Sequence, residues 1–233
     1  MTDLLRYQLD ATVAVLRMDD GKANALSHDM IQALHAGLDR AEKEAGAVLL
    51  LGRERRMSAG FDLATMTKSI DDMQELVISG AELLLRMYLF PRPLLIGCTG
   101  HALAAGALLL LVGDERIGTQ GDFKIGLNEV SIQMPLPVFA VELARDRLSK
   151  RHFSAATMQA RIYTPAAAID AGYLDSAVAE ENLIEVATQR ARVLAALPAS
   201  AFHLTKERAR AATVRVIRET LHADVRTLTG PQL

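Results

Sequence analysis

Leu94-Leu95-Ile96-Gly97-Cys98-Thr99-Gly100-His101-Ala102-Leu103-Ala104-Ala105-Gly106, continued by the apolar run to Val112, is the stretch that decides the fold. Residues 94–98 read as a buried strand, Gly100 to Gly106 as a turn of small residues, and the run to Val112 as a core helix. That run is too short to cross a bilayer, which takes about 20 apolar residues. The same order recurs upstream. Residues 48–51 form a buried strand pattern and Ser58-Ala59-Gly60-Phe61-Asp62-Leu63 a second small-residue turn. Met73, Leu76, Val77, Gly80, Leu83, Leu84 and Met87 then recur at helical spacing until Pro91 and Pro93 stop the helix. Downstream, residues 115–119 read as the next strand.

Nearer the start, residues 4–9 and 12–18 read as two strands around a short turn. Ser27 is placed to cap a helix whose apolar face is Met30, Ile31, Leu34, Leu38 and Ala41 and which ends near Gly46. Strand and helix patterns that alternate in this way imply a mostly parallel sheet covered by helices. From Pro135 onward helical patterns dominate, roughly over 138–148, 155–159, 165–171, 183–197 and 201–227. The expectation is an α/β core followed by a helical C-terminal third.

With 233 residues and 50% hydrophobic composition, the chain can bury a sizeable core. Its 26 basic and 28 acidic residues, net −2, form no dense run of one sign, so no nucleic-acid or membrane footprint is expected. Cys98 is the only cysteine, which excludes an internal disulfide and a cysteine-based zinc site. It reads as a small buried hydrophobe in a reducing, cytoplasmic compartment. Neither end carries a recognisable secretory, transit or retention signal. The loops and elbows of nucleotide-phosphate, dinucleotide, serine-hydrolase and zinc-protease sites are absent as motifs. His101 reads as a hydrogen-bonded structural residue, and His28, His35, His152, His203 and His222 show no metal-ligand spacing.

Both small-residue turns lead into helices, so their backbone N–H groups can approach a ligand closely while the helix dipole favours negative charge. Removing a proton beside a carbonyl leaves charge on the carbonyl oxygen, and donors must already stand there. The candidate donors are the N–H groups of Phe61 and Ala105. The candidate base is Glu129 in Gly126-Leu127-Asn128-Glu129-Val130. Val130, Ile132 and Met134 beside it are expected to desolvate its carboxyl and raise its pKa. Alone, Asp62 reads as a turn or capping residue and Glu129 as a solvated glutamate; their combination with the two turns is what points to a site.

Asn24-Ala25-Leu26-Ser27, the 58–63 turn, the segment 100–114 and Gly126-Leu127-Asn128-Glu129 together resemble the crotonase superfamily, the enoyl-CoA hydratases and isomerases. Order and spacing agree over about residues 12–178, and the segment 164–175 resembles the family's lead into its C-terminal helices. The resemblance implies an α/β spiral of βα (ββα) units over residues 1–178 and a helical region, 179–233, for packing and trimerisation. It also implies a homotrimer or dimer of trimers, and an acyl-CoA thioester held between the two N–H donors.

The family's hydratases use two glutamates. One matches Glu129, whereas the other falls at Leu108. This departure, the Gly-Leu-Asn-Glu form and Leu204-Thr205-Lys206 are similar to the mitochondrial-type Δ3,Δ2-enoyl-CoA isomerases. That likeness implies a double bond moved by one carboxylate, with no metal or redox cofactor and coenzyme A as part of the substrate. Lys22, Ala23, Ala59, Gly60, Asp62, Leu63, Leu108 and Lys206 would line the substrate and its CoA tail, and Met66, Met73 and Met134 would shape the acyl end. Ala104-Ala105 in place of a glycine pair, together with Gln133 and Pro135, departs from the family pattern. Other acyl-CoA reactions of the superfamily (hydration, decarboxylation, thioester hydrolysis) and a non-catalytic acyl-CoA-binding trimer are the competing readings.

Overall fold

A computed structural model describes residues 4–230, so the readings of residues 1–3 and 231–233 lie outside it. Along the described chain run β1 (Leu5–Asp10), β2 (Val13–Met18), α1 (His28–Glu44), β3 (Ala47–Leu51), β4 (Arg55–Ser58), α2 (Leu63–Met66) and α3 (Ile70–Tyr88). Then come β5 (Leu94–Cys98), β6 (Gly100–Leu103), α4 (Ala105–Val112), β7 (Glu115–Thr119), β8 (Ile125–Gly126), α5 (Val138–Arg147) and α6 (Phe153–Thr157). The last elements are α7 (Pro165–Ala171), β9 (Ser176–Val178), α8 (Leu183–Ala195) and α9 (Ala199–Val225). The larger sheet has the order β1-β2-β3-β5-β7-β9, antiparallel only at β1-β2, and a smaller parallel sheet has the order β4-β6-β8.

Successive side chains of a strand face opposite ways, and β3 uses both faces. Val48 and Leu50 enter the main core with the faces of α1, α3 and α4, while Leu49 and Leu51 pack under Leu183 and Ala187 of α8. A strand covered on both sides reads as a continuous apolar run, and that is how it stands in the sequence. Three times the chain leaves the larger sheet and adds a strand to the smaller one: β3 to β4, β5 to β6, β7 to β8. This is the ββα spiral that the resemblance implies. It also corrects the reading of Gly100 to Gly106 as one turn. Its first four residues are β6, separated from β5 by Thr99 alone, and only Ala104 turns the chain into α4. Strands of two to four residues are too short to show a period.

The C-terminal helices cover the core directly, α8 on the sheet and α9 along α5 and α3. Two cations fix α9. Lys206 Nζ lies 2.7 Å from Asp114 Oδ2 and donates to the Phe90 carbonyl at 2.9 Å. Arg210 reaches Asp114 Oδ1 at 3.0 Å and also donates to the Tyr88 carbonyl. The expectation that Lys206 lines the CoA tail is therefore wrong: its side chain is buried against Asp114, the residue just before β7. Burial pulls its pKa down to about 8, with Asp114 opposing and Arg210 reinforcing the shift. Among the described residues no helix is long and apolar enough to cross a membrane, and no group of three or more potential metal ligands occurs.

Removing one partner of a buried ion pair leaves the other desolvated, so Lys206→Ala is expected to lower stability by about 3 kcal/mol in urea unfolding. The KM for a CoA thioester should stay unchanged. A raised KM at undiminished stability would return Lys206 to the ligand.

Candidate active site

A cavity of about 420 Å³ opens between the loop before α1, the β4–α2 turn, the start of α4 and the segment that carries Glu129. Its first lip is set by two polar side chains. Asn24, held at φ +52, donates through Nδ2 to the carbonyls of Met18 at 3.0 Å and Met57 at 3.3 Å. Asp20 accepts from the N–H groups of Lys22 at 2.7 Å, Asn24 at 2.9 Å and Ala25 at 3.0 Å. Burial alone would raise the Asp20 pKa, but these N–H groups outweigh it and hold the carboxyl below its ordinary value. Lys22 stands exposed at the mouth with Ala23 and Ala25 beside it.

The two turns lie back to back. Gly60 sits at φ +104, and a Cβ there would come 2.9 Å from Ala104 Cβ and 3.3 Å from Ala105 N. A Cβ on Gly106 would stand 2.2 Å from the Ser58 carbonyl oxygen. Both positions therefore require glycine. The Gly60 carbonyl accepts from Leu26 N–H at 2.8 Å and Asp62 N–H donates to the Leu26 carbonyl at 3.2 Å. That bridge leaves the Phe61 N–H with no acceptor among the described residues. Ala105 begins α4, where helix geometry supplies no acceptor, and its N–H is likewise unpaired. Ala104 carries the turn at φ +51, a conformation that suits glycine and is strained for alanine. Asp62 caps α2, accepting from Thr65 N–H at 2.9 Å and Thr65 hydroxyl at 2.8 Å, while Leu63 stands exposed at the mouth.

Glu129 starts the 3-10 turn Glu129–Ile132 and is only 7% exposed. Its Oε2 has no hydrogen-bond partner among the described residues. Burial raises its pKa from 4.5 to about 7, opposed only by its own N–H. Leu108, Ile132, Met134 and Phe139 line the same cavity, so Leu108 places hydrocarbon where a second acid would stand. Val130, expected to help desolvate the carboxyl, is 43% exposed, so the burial of Glu129 does not rest on it.

Met66 and Met134 line the cavity, whereas Met73 is a core residue of α3 outside it. Asn128, Val77, Pro137 and Phe139 line it without having been singled out from sequence. Asn128 alone carried a signal, as the polar neighbour of the base. His101 accepts from Lys124 N–H at 3.0 Å and packs edge-on against Phe123, in keeping with a structural role. Burial pushes the Cys98 thiol up to about 12, which leaves it an inert core residue.

The family model described as Enoyl-CoA hydratase/isomerase matches residues 8–232. The chain belongs to this family. A crystal structure of an enoyl-CoA hydratase/isomerase family protein from Pseudomonas syringae is 39% identical, covers 98% of this chain and 99% of its own, and superposes with a TM-score of 0.95. Human mitochondrial enoyl-CoA delta isomerase 1 is 28% identical over 95% of this chain and 75% of its own length. A probable enoyl-CoA hydratase of Bacillus subtilis is 35% identical over 57% of this chain, and the match spans about half, 52%, of that protein. Relatives in the hydratase/isomerase family thus carry both names.

The folded pKa of Glu129 lies above the unfolded one, so the native state binds more protons between pH 4.5 and 7 and loses stability as pH rises through that window. Glu129→Gln removes this dependence. In urea unfolding, its stability relative to wild type should grow by about 2 to 3 kcal/mol between pH 5 and pH 8. Parallel pH curves for the two proteins would show that the carboxyl is not held protonated.

Proposed function

We propose that this chain is an enoyl-CoA isomerase that moves the double bond of a 3-enoyl-CoA to the conjugated 2-enoyl-CoA. The observation that carries this reading is one buried carboxyl whose Oε2 has no partner among the described residues, in a cavity that Leu108 lines with hydrocarbon. Asp20 and Asp62 also line that cavity, but both Asp20 oxygens accept from backbone N–H groups and Asp62 Oδ2 accepts from the N–H and hydroxyl of Thr65.

In the proposed reaction the Glu129 carboxylate takes a proton from C2 as the C2–H electron pair moves into the thioester, giving a dienolate. The N–H groups of Phe61 and Ala105 hold its oxygen. Each donor of this kind contributes about 3 kcal/mol, so the pair accounts for roughly 10⁴-fold in rate. Glu129 then returns the proton to C4, and the π electrons settle between C2 and C3. The thioester is the electron sink, so the reading calls for no cofactor. A base with a pKa near 7 is half ionised at neutral pH and still binds the proton it removes, the balance that a shuttle needs.

The lip at Lys22, Ala23 and Ala59 faces the CoA tail, and the apolar wall of Met66, Val77, Met134 and Phe139 takes the acyl chain. Addition of water, the activity named for some relatives, ordinarily calls on two acids. The assembly in this proposal is a homotrimer or dimer of trimers, supported by the exposed apolar side chains Val193 on α8, Leu204 on α9 and Leu197 between them.

With a 3-enoyl-CoA, the absorbance of the conjugated thioester should rise, and kcat should climb with pH through about 7 as Glu129 ionises. Glu129→Gln should lower kcat by about 10³-fold or more. No conjugated product from wild type, or an undiminished Glu129→Gln, defeats the proposal. Loss of absorbance from a 2-enoyl-CoA would identify a hydratase instead.

A further inference from the structure

Gly80 stands in the middle of α3, on the buried face that also carries Leu76, Val77, Leu83 and Leu84. A glycine inside a helix destabilises it relative to alanine, and a bare position on a core face forgoes burial as well. The space is filled from another element. A Cβ on Gly80 would stand 2.1 Å from Phe61 Cε1 and 2.6 Å from its Cζ. The edge of the Phe61 ring therefore occupies a notch in α3 that glycine alone provides. Val77, one turn earlier on the same face, lines the cavity together with Phe61, so the notch adjoins the cavity wall.

The backbone on the other side of Phe61 is held at one edge. The Gly60 carbonyl accepts from Leu26 N–H and Asp62 N–H donates to the Leu26 carbonyl, so both peptide units that flank Phe61 are tied to Leu26. In a trans peptide the C=O and N–H point opposite ways, and no peptide bond among the described residues is cis. The Gly60–Phe61 unit, bound to Leu26 through its carbonyl, thus turns the Phe61 N–H away from Leu26. Two hydrogen bonds along one edge leave this unit free to rock about that edge. The side chain of Phe61 is the remaining attachment, and it ends in the notch of α3. That helix is itself packed against α1, α2, α4 and α9, so the notch is a fixed point.

We propose that Gly80 is a positioning residue for the oxyanion hole: its missing side chain seats the Phe61 ring against α3, and the seated ring fixes the Phe61 N–H on the ligand oxygen. The proposal rests on the reading that this N–H holds the dienolate oxygen. Ordinary contact begins near 3.4 Å, so a methyl at Gly80 would drive Phe61 Cε1 back by about 1.3 Å, the difference between 3.4 and 2.1 Å. A ring is stiff, and its displacement is carried to Cα and to the N–H beside it. Misplacing a catalytic group by about 1 Å costs on the order of 100-fold.

The test uses the full chain as wild type, Gly80→Ala, Phe61→Leu and the double variant. With a 3-enoyl-CoA, Gly80→Ala should lower kcat by about 10- to 100-fold and leave KM within about twofold. A raised KM at unchanged kcat overturns the proposal, because the ring would then have swung into the cavity and left the donor in place. Leucine ends at its Cδ atoms, and Phe61 Cδ1 stands an ordinary 3.4 Å from the place of the added methyl. In the Phe61→Leu background Gly80→Ala should therefore change kcat by less than about twofold. An equal loss in both backgrounds overturns the proposal.

A second readout needs no turnover. Acetoacetyl-CoA gives up a C2 proton to form an enolate whose oxygen calls on the same donors, and its ionisation on the protein is followed by absorbance against pH. Gly80→Ala should raise the midpoint for the bound ligand by about one unit, a tenfold weaker hold on the enolate. Phe61→Leu keeps the N–H and empties the notch without adding bulk, so it should raise the midpoint too, and it tests the seat independently of how well Gly80→Ala folds. A midpoint unchanged in Phe61→Leu overturns the proposal, as does a wild type that does not favour the enolate. A midpoint shifted as expected in a protein that converts no 3-enoyl-CoA would sink the isomerase reading and leave the positioning role standing.

Discussion

A carboxyl group taken out of water without a partner is costly to ionise, and the fold spends stability to keep Glu129 in that condition. A glutamate beside an arginine would be cheaper to bury, but it would hold a carboxylate too weakly basic to take a proton from carbon. The surroundings of Glu129 withhold every such partner. Leu108, Met134 and Phe139 present hydrocarbon, and Asp20 and Asp62 turn their oxygens to backbone N–H groups elsewhere on the rim. In the proposed reaction the remainder of the architecture holds this one desolvated base against the place where charge would appear.

The two-sheet spiral supplies the opposing side. Because β4 and β6 are neighbours in the small sheet, the turns that follow them are brought together at Gly60 and Ala105. The tightness of that meeting is shown by the strained Ala104, whose methyl group faces Gly60 and whose carbonyl accepts from Ala107 and Leu108 N–H as α4 begins. Backbone donors placed this way do not depend on side-chain identity, so an alanine pair can occupy a site where glycines are the family habit. The strain at Ala104 is a local cost that a glycine would avoid.

Much of this was legible in the sequence, and the exceptions have physical causes. Residues 47–51 and 94–98 announce themselves because burial on both faces forces a continuous apolar run, and α4 because all eight of its residues are buried. β6 and β8 were illegible because they are too short to display a period and each carries a glycine, a residue that also marks turns. Lys206 was misplaced because a lysine on a long amphipathic helix looks the same in sequence whether it meets solvent or a buried Asp114 ninety-two positions earlier. The desolvation of Glu129 was foreseen, but from sequence neighbours. Val130 faces out, and residues distant in the chain such as Leu108 and Phe139 enclose the carboxyl.

Proteins described as an enoyl-CoA hydratase and as an enoyl-CoA isomerase share this fold, so on the proposed reading the difference between the two activities lies in how protons and water are handled around the same dienolate or enolate. In the proposed isomerase, Leu108 leaves no group that would orient water at the front of the cavity, and so removes the simplest competing use of the intermediate. A shuttle of this kind still needs its base to be neither permanently charged nor permanently neutral, which a pKa near 7 provides.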